Sequence, residues 1–600
     1  MALPPTPQPR SAERRGSAAR RPRGSLLASA ALLAACALAT AGCGSSGSTG
    51  ASIDPAKAVP ASAPLYASAV VRPDGSLQIA ARKAGRALTH QADPYLRLLA
   101  ALQTPGSPTL DFQRDLAPWL GSNAGVFLSS SAGSTEQAAE RLLALVQRGL
   151  LGQGSTASAF PFAAHTVEGA FLLDTRDTAK ARSFLRTLAG RAGAHTTSYR
   201  GTSYQTSASG IAFGIVARLV AIGTEGAVRE VIDTAGGGPS LASAPEYAKL
   251  LASAPSGALA HVYANAGALA KPVAGSGSKG AASAIPLLAG GGPVNISLIP
   301  SASSIALDAD TLSEGTTAAP QGLLSPSPEA SRVLGELPGE SWLAVGLANV
   351  GETLGADVRA LKGLTSLAAP PSESGEGGSP AVSGLSVNGL IGGILSPLEV
   401  LGAESAEAKR DFSSWMGSAG LFASGSGLLE LKGGVVIDSK DPARSRAAVA
   451  KLAAKLRAKG GSVAAASIAG TDAAATARLS GLPVELDIAA GRDSSGHDKF
   501  VIGIGEASVQ AILNPSSPLS GAAPYGVASS ALGESIQPSV IADFPTLLGL
   551  LEGVGLNEDP SIAPLVPYLQ SLSTLSAGGK SLGGGVERFR LVLGLQAGTG

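Results

Sequence analysis

From residue 59 onward the chain alternates short apolar runs with turn residues, broken by a few longer stretches of helical spacing. "LYASAVV" (65–71) is an apolar run directly behind a proline and predicts a buried strand. "AGVFLS" (124–129) and "AGLFAS" (419–424) predict strands of the same kind. "IAFGIVARLVAIG" (211–223) reads as two strands with a tight connection, and "VELDIAAGRDSSGHDKFVIGIG" (484–505) as a hairpin around a Gly/Asp/Ser turn. Two segments alternate most cleanly. In "SSIALDADTL" (303–312) and "VERFRLVLGLQ" (586–596) every second residue is apolar, so that Phe589, Leu591, Leu593 and Leu595 face one side and Arg588 and Arg590 the other. Helices are predicted where strand and turn give way to 3.6-residue spacing, as in "LLDTRDTAKARSFLRTLAGRAGA" (172–194). Hairpins pair antiparallel, so the fold class expected is α+β, antiparallel sheet packed with helices.

The pattern occurs twice. "RDLAPWLGSNAGVF" (114–127) returns as "RDFSSWMGSAGLF" (410–422), and four further phrases return in the same order. "VPASAPLYASAVV" (59–71) pairs with "LPGESWLAVGLA" (337–348), and "GAFLLDTRDTAKARSFL" (169–185) with "GGVVIDSKDPARSRAAV" (433–449). "VAIGTEGAVREVI" (220–232) pairs with "IGIGEASVQAI" (502–512), and the segment 243–269 with 522–548. A tandem duplication is expected, with related halves over 59–312 and 331–600 and a linker over 313–330. The first half inserts "QAAERLLALVQRGLLGQG" (137–154), an amphipathic helix expected to complete the core, to cover the body's own sheet as a lid, or to lie on a membrane. The second inserts "AAPPSESGEGGSPAVSG" (368–384), and "AGSGSKGAASA" (274–284) is another flexible stretch.

The repeated residues have mechanical readings. Asp115 and Asp411 sit on a short helix that ends at Trp119 and Trp415, core anchors that pin it to the sheet. Gly121 and Gly417 are expected to stop that helix in the left-handed conformation. Asp177 and Asp441 are N-caps, the latter followed by Pro442 at the first helical position. The acid pairs Asp174/Asp177 and Asp438/Asp441 raise metal binding as an alternative, but a basic residue intervenes in each and no further ligands cluster nearby.

Ahead of this body stands an export signal. Residues 1–42 are basic, then apolar ("SLLASAALLAACALATAG", 25–42), and are followed by Cys43 and the tether "GSSGSTGAS". This is the pattern of a bacterial lipoprotein signal, with a diacylglyceryl group on Cys43 and a flexible tether over 43–58. Cys36, in "LAAC", is the alternative attachment site, and an uncleaved membrane helix the alternative reading. Both cysteines of the chain lie here, so with cleavage before Cys43 the mature body is expected to have no disulfide and no thiolate chemistry.

Charge changes one conclusion. The whole chain carries +1, but residues 1–42 hold six of the 45 basic residues and one of the 44 acidic ones. The remainder has 39 basic against 43 acidic, a net of −4, with no electrostatic footprint for nucleic acid. The mean hydropathy is +0.24 with only 4% aromatic residues, so cores of small side chains are expected.

"VPASAPLYASAVVRPDGSL", "DFQRDLAPWLGSNAGVFLS" and "FLLDTRDTAKARSFL", in that order, resemble the DUF3352 family of mostly bacterial proteins of unknown function. The resemblance covers most of the mature chain and is clearer in its first half; "RPDGSL" is missing from the second. It implies no catalytic residues, ligand or cofactor.

Few residues carry candidate chemistry. His90, His165, His195, His261 and His497 are too far apart in sequence for a His-x₃-His metal site. "GKSLG" (579–583) has the spacing of a nucleophile elbow but stands between a flexible "LSAGG" and a strand, and reads as a loop. A phosphate loop would need glycine at 574, where threonine stands. The function expected is therefore a membrane-anchored, extracytoplasmic binding protein for an apolar or envelope-derived ligand, without enzyme activity or cofactor. An envelope scaffold that contacts other proteins is the alternative.

Overall fold

The computed structural model describes residues 52–89, 111–130, 168–265, 292–312, 327–355, 358, 397–403, 405–427, 430–479, 484–553 and 566–596. Cys36, Cys43, the export segment and the stretches 137–154, 274–284 and 368–384 lie outside them, as do His90 and His165.

Among the described residues, twenty strands form one antiparallel sheet. The first ten are β1 (Leu65–Val70), β2 (Leu120–Leu128), β3 (Gly169–Thr175), β4 (His195–Tyr199), β5 (Thr202–Thr206), β6 (Ile211–Val216), β7 (Leu219–Thr224), β8 (Ala260–Asn265), β9 (Pro293–Pro300) and β10 (Ser304–Leu312). They lie in the order β4-β5-β6-β7-β3-β2-β1-β8-β9-β10. The second ten are β11 (Ser341–Leu347), β12 (Met416–Ser424), β13 (Lys432–Ser439), β14 (Ser462–Ala466), β15 (Thr471–Arg478), β16 (Leu486–Arg492), β17 (Asp498–Ile504), β18 (Gln537–Asp543), β19 (Leu572–Gly583) and β20 (Val586–Leu595). Their order is β14-β15-β16-β17-β13-β12-β11-β18-β19-β20. The pairings run through the same sequence in both sets, and β10 against β20 joins them.

Alternation along the strands builds a core on each face. In the first set Phe213, Val220 and Trp119 pack with the helix Thr178–Ala192 on one face. Ala212, Ala221, Leu172 and Phe127 pack with the helices Glu225–Ala235 and Pro245–Ser253 on the other. In the second set Ile437, Phe500 and Trp415 meet the helix Pro442–Ala458, while Val436, Val501 and Phe422 meet the helices Pro328–Glu336, Gly505–Leu513 and Ala523–Leu532. Many of the residues under these helices are alanines and glycines. At Gly346 a Cβ would lie 1.9 Å from the carbonyl oxygen of Ala330, so the helix Pro328–Glu336 seats directly on the β11 backbone.

Several expectations need correction. Gly121 and Gly417 are not left-handed helix stops, for each is the second residue of a strand, β2 or β12, and neither has a positive φ. Glycine is needed at 121 for room: a Cβ there would lie 2.3 Å from Asp174 Oδ2. "GKSLG" and the "LSAGG" before it are not loops; they lie in β19, where a ladder to β20, joined by one to β18 as far as Gly579, outweighs the low strand propensity of glycine. Residues 52–58 are not free tether. Asp54 caps a short helix Pro55–Ala58 whose Ala56 and Ala58 are buried, and the Ser52 hydroxyl donates to Asp174. Within the expected linker 313–330, Ser327 already caps the helix that begins at Pro328.

Candidate functional site

The repeated motif residues sit in packing positions. Asp115 and Asp411 lie in one-turn π-helical segments, Phe112–Leu116 and Lys409–Ser413. The indole N–H of Trp119 donates to the Asp115 carbonyl at 2.8 Å, and that of Trp415 to the Asp411 carbonyl at 3.0 Å, so each ring closes the turn that presents it. Both rings are buried. The Asp115 carboxylate is held below its usual range by Arg114, and that of Asp411 by Lys451, 2.8 Å away. Asp177 accepts from the N–H groups of Ala179 and Lys180, and Asp441 from those of Ala443 and Arg444, which makes both N-caps. Asp174 and Asp438 do not cap; Asp438 instead meets Lys499 at 2.6 Å. His261, on β8, lies 3.1 Å from the Ser297 hydroxyl, and burial pushes its pKa down. Among the described residues no group of three or more His, Cys, Asp or Glu side chains is placed to hold a metal ion.

A cleft among the described residues opens elsewhere, at one end of β11, β12, β13 and β18. Register explains the gathering: Ser341 lies opposite Ser424, Ser424 opposite Lys432, and Leu343 opposite Ala542. The pairing of β11 with β12 shifts register between Ser341 and Leu343, so Trp342 is the extra residue of a β-bulge, a device that re-aims a side chain. Glu340, Trp342, Ser424, Gly425, Ser426, Glu430, Lys432 and Thr546 line a cleft of about 570 Å³. Gly425 takes φ +103°, and a Cβ there would lie 2.4 Å from the Glu430 carbonyl, so the loop can fold over itself only with glycine.

The polar groups of the cleft divide in two. At the rim the Ser426 hydroxyl donates to Glu430 at 2.8 Å, and Lys432 stands 3.6 Å from Glu340. Deeper, Trp342 Nε1 and Ser424 Oγ are buried and have no hydrogen-bond partner among the described residues, and Ser424 is wholly inaccessible. Such groups are exceptions in folded proteins. No histidine or carboxylate bonds the Ser424 hydroxyl, so nothing there activates it as a nucleophile. Neither Trp342 Nε1 nor Ser424 Oγ is open to the cleft, so its accessible polar groups are those at the rim. In the sequence, "LPGESWLAVGLA" (337–348) shows only as the echo of "VPASAPLYASAVV" (59–71). The signal within it is Trp342, whose place in the earlier phrase is held by Pro64.

The antiparallel sheet and its helices define an α+β protein. The chain belongs to the DUF3352 family of proteins of unknown function, which matches residues 25–574. No curated protein matches it. Among solved structures, crystal form I of TP0453 is similar at 11% identity and a TM-score of 0.24, covering 45% of this chain and 82% of that one. Crystal form III of TP0453 gives 12% identity, the same TM-score, and coverage of 45% and 84%. No helix among the described residues is long and apolar enough to cross a membrane.

Proposed function

We propose that the protein is a non-catalytic binding lipoprotein, held at the extracytoplasmic membrane face by a diacylglyceryl group on Cys43, and that it takes an envelope-derived ligand in the cleft beside Trp342. The observation that carries this reading is the cleft, whose volume of about 570 Å³ falls in the range of roughly 300–1,000 Å³ common for small-molecule sites. The Trp342 ring beside the polar rim favours a ligand with an apolar face and a neutral polar group. Glu340 and Glu430 against Lys432 leave one net negative charge in the lining, which favours a neutral or cationic ligand over a carboxylate or phosphate.

The halves are best read as a tandem duplication, supported by the five echoes in one order and by the matching strand pairings. In that reading the cleft is a specialisation of the second half. Ser129 in the first half donates to Glu230 at 2.7 Å. Its counterpart Ser424 finds Ala511 where Glu230 would stand, and so keeps an unpartnered hydroxyl. The scaffold reading has less support. The exposed large apolar side chains among the described residues are Ile79, Val527 and Leu582. Ile79 and Val527 belong to helices packed against opposite faces of the sheet, so they form no common patch.

Trp119→Phe with Trp415→Phe leaves Trp342 as the only fluorophore of its kind. Titrating that variant with small N-acylated amides should shift its emission saturably, and the matching free acids should bind at least tenfold more weakly. An emission unchanged by every amide tested would remove the cleft as a site. The anchor has its own test, since metabolic labelling with a fatty-acid analogue should mark the wild type and spare Cys43→Ser. Loss of label in Cys36→Ser alone would move the attachment to Cys36.

A further inference from the structure

Strands β10 and β20 lie side by side with Ala309 opposite Phe589, Asp308 opposite Arg590 and Asp310 opposite Arg588. Each arginine grips the aspartate it faces through two hydrogen bonds. Arg588 Nε and Nη2 reach Asp310 at 2.7 and 2.8 Å, and Arg590 Nε and Nη2 reach Asp308 at 2.7 Å each. A further contact of 3.3 Å links Arg588 to Asp308. Both aspartates are completely buried and Arg588 nearly so. Each guanidinium also reaches the last residue of a helix. Arg588 donates to the carbonyl of Ser253, which ends Pro245–Ser253 in the first half, and Arg590 to that of Leu532, which ends Ala523–Leu532 in the second. A helix C-terminus favours a cation, so both arginines are stabilised twice.

The placement of these charges decides which strands can meet. A two-fold axis between Ala309 and Phe589 would exchange position 308 with 588 and 310 with 590, yet 308 and 310 are acidic where 588 and 590 are basic. Two β10 strands in this register would bury four carboxylates with no cation, and two β20 strands four guanidinium groups with no anion. Uncompensated buried charge of that kind is prohibitive. The opposite face of the seam, with Ile305, Leu307, Leu593 and Leu595, is apolar and adheres without discriminating.

We propose that the β10–β20 seam is a charge-coded joint that admits only unlike halves: the partner a β10 edge fits is a β20-bearing half, from its own chain or from a second copy. Like halves, for all their common strand order, are excluded. The buried ion pairs thus select the partner, whatever they add to stability.

The test keeps the full chain. A specific protease site is placed between residues 312 and 327, the folded protein is cut, and the products are examined by gel filtration and native mass spectrometry. Two nicked preparations, one isotopically labelled, are then mixed. Wild-type halves should stay paired one to one and exchange only into unlike pairs. Asp308→Asn with Asp310→Asn leaves both arginines buried without anions and should weaken pairing on the order of a hundredfold or more. Adding Arg588→Gln and Arg590→Gln should restore pairing, because no unmatched charge remains, while like pairs now appear as well. Like pairs from the wild-type mixture would overturn the proposal. So would undiminished pairing of the one-sided variant, or a four-fold neutral variant that pairs and still excludes like halves.

Discussion

Trp415→Ala is expected to cost the fold about 3–5 kcal/mol, the range for a large aromatic removed from a core. The indole is wholly buried. Its centroid lies 5.0 Å from that of Phe500 on β17, and it belongs to the cluster that joins the helix Pro442–Ala458 to the sheet. Alanine would also leave the Asp411 carbonyl without the indole N–H, and that bond closes the turn Lys409–Ser413. Trp119→Ala should cost a similar amount, since it has the same bond to Asp115 and a ring contact of 5.4 Å with Phe184. Trp415→Phe keeps most of the apolar volume but not the donor, and should lose roughly 1–3 kcal/mol. Chemical denaturation of the three variants would measure these differences. A loss below about 1 kcal/mol for Trp415→Ala would mean that neighbouring side chains collapse into the space and that the ring is not the anchor.

The elements that the sequence made plain are those specified by neighbours in the chain. The N-caps at Asp177 and Asp441 needed only the residues that follow them. The hairpin β6–β7 needed only its alternation and a two-residue connection, which places Ala217 and Arg218 at positive φ. The β20 pattern separated Arg588 and Arg590 from the leucines correctly, but their partners lie more than 270 residues away, at Asp310 and Asp308. Nothing local reveals that register. The cleft was hidden for the same reason. It depends on a bulge at Trp342 and on the alignment of four strand ends drawn from widely separated parts of the chain. Gly121 misled because glycine after a helical turn usually signals a left-handed stop; here the demand comes from Asp174 on the neighbouring strand.

Lys499→Met should be as damaging as loss of a core aromatic, and for an electrostatic reason. Lys499 lies on β17 opposite Asp438, with only 5% of its side chain exposed. Its ammonium meets Asp438 at 2.6 Å, Glu336 at 3.0 Å and Asp493 at 3.4 Å. Arg332 is the second cation of the group, bound to both Glu336 and Asp438, and the His497 ring stands 3.6 Å from Asp493. Burial acts to lower the Lys499 pKa, but Asp438 and Glu336 outweigh it and the net shift is upward. A lysine whose folded pKa is raised contributes stability that is fully present below its ordinary value of about 10.4 and is lost as pH rises through the raised value. At neutral pH, methionine should therefore cost about 3–5 kcal/mol, because it strands three carboxylates around one arginine. The gap between wild type and variant should narrow in alkaline solution as the wild-type lysine loses its proton. The first half shows the arrangement without a lysine: Leu219 lies opposite Asp174, whose carboxylate takes the Ser52 hydroxyl and the Ser122 N–H instead. Removing charge on both sides, as Lys499→Met with Asp438→Asn, should accordingly recover much of the loss. Urea titrations of wild type, single and double variants across neutral and alkaline pH would decide it. A cost independent of pH, or a double variant no more stable than Lys499→Met alone, would show that Lys499 acts through packing and not through its charge.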